Sequence, residues 1–266
     1  LMVATMVVHY AAFAAARAAT VWIPAGVGSR LGWSMPENCV DGYSIDLAAP
    51  DQIEPSLVQP SEGGLTYLVT LSGLKYWKIA SAAYMACMPI SPSRDLGLSV
   101  PPGGAMLQQA LRDTYHALAT RAPTDGRIAN KLAYAMRYTN VDVRFYHSNS
   151  ASLEPPLVPR RIRYDGGREP GDEGYYEYRP WQEIGWQDPI TVTVTHYFAL
   201  LPGPGRLLAN QVGFVRTARD SVQERIEQDT DEAQPPSNVY VYKLTASCTL
   251  GNEGEKSVMP YEYQAY

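Results

Sequence analysis

The chain has 266 residues, of which 45% are hydrophobic and 18% charged, with a net charge of −5. That is long enough for a real core in one large domain or two small ones, and too acidic to present the basic field that attracts nucleic acid. Nineteen tyrosines against four phenylalanines suit half-exposed surfaces and subunit contacts, and 21 glycines with 21 prolines require much ordered loop.

From Leu1 to Val8 every residue except Thr5 is apolar, and Tyr10 to Ala19 is almost pure alanine, with Phe13 and Arg17 four apart. No glycine interrupts the run, and Pro24 stops it. The spacing predicts one helix from Met2 to about Trp22, roughly 30 Å long. A helix apolar on all sides is buried in a core, in lipid or against copies of itself. The apolar part is the chain end, which favours lipid or copies. His9 interrupts the run well short of the about 20 apolar residues a lone span needs. Leu1 therefore reads as a processing site or as a cut through a longer hydrophobic helix. The competing reading is an amphipathic core helix of a soluble domain.

Residues 25–64 carry ten glycines and prolines with no stable period, a loop region that Trp22 and Trp33 would anchor to the helix. A short strand is predicted at Leu65 to Leu71. A second helix spans Leu74 to Met88, halted by Pro89 and Pro92, with Ala80, Ala83 and Cys87 on a face that allows close approach. A third runs from Gly104 to Thr120, with Met106, Leu107, Ala110, Leu111, Thr114 and Leu118 as its expected buried stripe. After the break at Pro123 to Gly126, a fourth helix from Arg127 to Tyr138 feeds directly into a strand, Val141 to His147. Two further strands, Ile190 to Phe198 and Val239 to Leu250, alternate apolar and polar residues with a period of two. A Tyr/Gly/Pro excursion (Pro155 to Asp188) and an acidic one (Arg219 to Asn238) lie between them. The fold class is α+β: a long, protruding apolar N-terminal helix packed by its C-terminal half on an antiparallel sheet of three or more strands, with extra helices and long ordered loops. Residues 1–24 form an assembly or membrane helix, and 25–266 a single α+β head.

Residues with a chemical signature are sparse. His9, His116, His147 and His196 are scattered at no metal-ligand spacing. There is no nucleophile elbow, Walker loop or dinucleotide fingerprint, so no catalytic residue and no cofactor is assigned. Asp165, Glu169, Asp172 and Glu173 share a glycine-rich loop of the oxygen-rich kind calcium uses, but their spacing is not that of an EF-hand, and a solvated charged loop is the competing reading. Asp220 to Glu232 reads as a solvated segment. Cys39, Cys87 and Cys248 lie far apart: one disulfide with one free thiol, or three reduced thiols, both fit.

The stretch His9-Tyr-Ala-Ala-Phe-Ala-Ala-Ala-Arg-Ala-Ala-Thr-Val21 after an apolar start resembles the TadE-like pseudopilins of the bacterial tight-adherence pilus machinery. The helix Ala80 to Met88 closing in Pro89-Ile-Ser-Pro92, the passage Leu132-Ala-Tyr-Ala to Val141-Asp-Val, the strand Ile190 to Phe198 leading to Leu201-Pro, and Leu244-Thr-Ala-Ser with Asn252-Glu-Gly are similar to blocks in the family's longer members. Together these blocks cover about a third of the chain. Thr5 departs from the pattern, since pilin-like helices usually carry an acidic residue just after their cleavage site. The resemblance implies a structural subunit rather than an enzyme, held in the inner membrane by its N-terminal helix and then extracted into an extracellular, adhesive filament. Its partners would be copies of itself or other pilin-like subunits. Met2, Val3, Met6, Val7, Tyr10, Phe13, Ala14 and Arg17 would form the assembly interface, with the alanines letting helices approach closely. The alternative is a membrane-anchored, secreted binding domain, with glycans as the candidate ligand, that uses Trp33, Trp181, Trp186 and the tyrosines as stacking platforms.

Overall fold

The structure is a computed structural model that describes residues 1–28, 34–35, 38, 40, 43–45, 65–69, 73–118, 125–147, 184, 188–200, 215–217 and 239–253. In chain order the elements are α1 (Met2–Trp22), β1 (Val27–Gly28), β2 (Ser34–Met35), β3 (Tyr43–Ile45), β4 (Leu65–Val69) and α2 (Leu74–Cys87). They continue with α3 (Ala105–Leu118), α4 (Asp125–Tyr138), β5 (Thr139–His147), β6 (Pro189–Ala199), β7 (Val215–Thr217) and β8 (Tyr240–Gly251). Single 3₁₀ turns, Met88–Ile90 and Pro102–Gly104, close α2 and open α3; a proline in the first turn of each removes one of the amides that would otherwise lack a partner. The fold is α+β, as the alternating periods of the sequence require.

A six-stranded sheet has the order β3-β4-β5-β6-β8-β7. β3 with β4, β4 with β5, and β7 with β8 pair antiparallel. Three hydroxyl pairs, Thr191–Thr249 and Thr193–Ser247 at 2.8 Å and Thr195–Thr245 at 3.1 Å, mark an antiparallel register between β6 and β8, since one partner's number falls as the other's rises. Period-two alternation sorts the side chains. Val141, Val143 and Phe145 on β5, Ile190, Val192, Val194 and His196 on β6, and Leu244 and Ala246 on β8 are buried. The intervening Asn140, Asp142, Arg144 and Tyr146 of β5, with Thr191, Thr193 and Thr195 of β6 and Thr245 and Thr249 of β8, are half-exposed or exposed. Tyr67 of β4 stacks on its register partner Phe145, ring centroids 5.1 Å apart.

The chain divides into two compact units. One comprises Leu1–Ala15, Ala80–Val141 and Thr193–Cys248. In it, Tyr134 and Tyr138 of α4 stack at 4.4 Å and pack with Val239, Val241, Leu96 and Leu98. The Lys131 ammonium donates to the carbonyls of Met88, Pro89 and Ser91 at 3.2, 3.0 and 2.7 Å, satisfying the acceptors freed where α2 ends. Gly104 packs closely, since a Cβ there would lie 2.6 Å from the Met136 sulfur and 2.7 Å from Val100 and would force those side chains to shift.

The other unit comprises Ala16–Ile79, Asp142–Val192 and Thr249–Tyr266. Here the C-terminal end of α1 is held by two cations: the fully buried Lys75 donates to the Ile23 carbonyl at 2.7 Å, and Lys78 lies 5.0 Å over the Trp22 ring. Asn38, buried with φ of 55°, accepts the Ile184 amide on its carbonyl, and Asn252 donates to the Asn38 side chain and the Ile184 carbonyl. These bonds tie together segments far apart in the chain.

Two expectations are corrected. The N-terminal helix does not protrude: its buried stripe begins at Ala4 and continues through Val8, Ala11, Ala12, Ala15, Ala16 and Ala19 to Ile23. Alanine's small size lets that face pack closely from the first turn on. The expected buried stripe of α3 is absent, for α3 buries no residue, and Met106 and Leu118 are almost fully exposed. Leu107 and Leu111 are half-buried, while Ala110 and Thr114 are exposed.

Candidate interaction surface and the buried polar network

α1 has two unlike faces. Side chains of the alanine stripe are sealed, Ala4 at 3% and Val8 at 1% exposure, whereas Met2 (80%), Val3 (71%), Met6 (64%), Tyr10 (63%) and Phe13 (48%) stand open. At 3.6 residues per turn, Met2, Val3, Met6, Tyr10, Phe13 and Arg17 fall within about 100° of arc, opposite the buried stripe. Val7 and Ala14 are half-buried at its border and Arg17 is exposed. Of the eight residues expected to form an assembly interface, none is buried within the molecule. The result is a stripe of large, flexible or aromatic side chains rising from a helix whose small side chains are already used. By length and composition α1 is the one described helix that meets the requirements for crossing a membrane, a test that buried core helices also pass.

The second notable cluster is internal. Thr139, at the start of β5, is fully buried, and its hydroxyl lies 2.8 Å from His196 Nδ1 on β6. The same hydroxyl is hydrogen-bonded to the Cys87 thiol at the end of α2. Burial lowers the His196 pKa to about 4 and raises that of Cys87 to about 12, the latter partly offset by the Thr139 bond. Tyr134 meets the His196 ring edge-on at 6.1 Å and donates its hydroxyl to the Tyr197 carbonyl at 2.7 Å. Burial also pushes the Tyr134 and Tyr138 phenols up. His196 Nε2 and the Tyr138 hydroxyl have no hydrogen-bond partner among the described residues. Burial thus favours the protonated thiol and the neutral imidazole, the uncharged form of each. The cluster is a hydrogen-bonded strut joining α2, β5 and β6.

The other sequence candidates are placed as follows. The calcium candidates Asp165, Glu169, Asp172 and Glu173, the stacking candidates Trp33, Trp181 and Trp186, and Cys39 lie outside the described residues. Among the described residues no group of three or more His, Cys, Asp or Glu side chains gathers to hold a metal. His9 and His116 are exposed on different helices. Sequence reasoning missed Lys75, Lys131 and the Thr139–His196 pair. For His196 a signal existed: it continues the Ile190, Val192, Val194 alternation of β6 onto the buried face. Compared with known proteins, the chain matches no family model, no curated protein and no solved structure.

Proposed function

We propose that the protein is a structural subunit, not an enzyme, that assembles with copies of itself or with similar subunits into an extracellular, pilus-like filament through the exposed face of α1. The observation that carries this reading is the pairing of a sealed alanine stripe with an open stripe of Met2, Val3, Met6, Tyr10 and Phe13 on one helix. Exposing that much apolar side chain costs free energy at about 25 cal/mol per Å², and covering it returns the same amount to any assembly. A repeated contact that does not close on itself grows a fibre rather than a ring. Before assembly the same apolar helix would keep the subunit at the inner membrane, consistent with its length and composition. The resemblance to TadE-like pseudopilins supports the same reading from the sequence. Electron microscopy of the purified protein tests it: regular fibres support assembly, and a preparation that stays monomeric under all conditions while binding glycans on an array would replace it with the binding-domain reading.

A further inference from the structure

We draw no further inference here: the strongest candidate, the exposed surface of α3 on which Met106 and Leu118 stand almost fully open, carries nothing, because nothing in the structure shows what covers it.

Discussion

Two carboxylates placed two residues apart on α1 should have opposite consequences. Val8 is sealed in the core, and Met6, half a turn away, is mostly exposed. Val8→Asp forfeits about 2 kcal/mol of side-chain burial and adds an uncompensated charge or a forced protonation, for a total of roughly 4–5 kcal/mol. Against a net stability of about 5–15 kcal/mol that is a large fraction. At about 2–4 °C per kcal/mol for a chain of this size, the melt should fall by at least about 10 °C, or the near-UV signal should be absent from the start. Met6→Asp changes a solvated position and should move the melt by no more than about 2 °C, within the ~0.5 kcal/mol of an exposed substitution. Near-UV circular dichroism melts of the two full-length variants beside wild type make the comparison. Equal, small shifts for both would show that the first turns of α1 do not belong to the core, and the argument from the alanine stripe would fail.

Acid should weaken the fold through His196. Its folded pKa of about 4 lies below the 6.5 of an unfolded histidine, so between those values the unfolded chain binds more protons and stability falls as pH drops. The loss is complete near pH 4 and is worth about 3 kcal/mol, and His196→Gln should flatten that part of a urea-midpoint titration; an unchanged slope between pH 6.5 and 4 contradicts it. Lys131→Met should cost about 1 kcal/mol, discounted for partial exposure, by leaving the Met88, Pro89 and Ser91 carbonyls without their shared donor; hydrogen exchange at the end of α2 should quicken, and unchanged rates would assign the lysine no such role.

How much of this was legible depends on what periodicity measures. The bounds of α1 follow from its alanines and Pro24, and α4 runs into β5 as the change from helical to period-two spacing requires. β6 and β8 declare themselves through alternating β-branched residues, and their threonine pairs follow from the register. Periodicity says which residues share a face, not whether a neighbour covers it. Hence α3 has its apolar stripe but buries none of it fully, while α1, apolar on both sides, shows no hydrophobic periodicity to say which side packs. The difference in size between its two faces was the available signal, since close packing selects alanine and leaves the large side chains outside. Lys75 and Lys131 escaped notice because a lone lysine in a helix normally marks a solvated face, and only the tertiary fold brings carbonyls to meet it.

The measurement that bears most directly on the central claim is fibre yield by negative-stain electron microscopy for wild type, Met6→Asp and Phe13→Asp, each first shown to keep the wild-type melt. Covering the exposed face of α1 is what drives assembly in this account, so wild type forms regular fibres and both variants, folded but with a charge set in the stripe, form none. Fibres of normal yield and diameter from either variant would show that the stripe is not the seam between subunits.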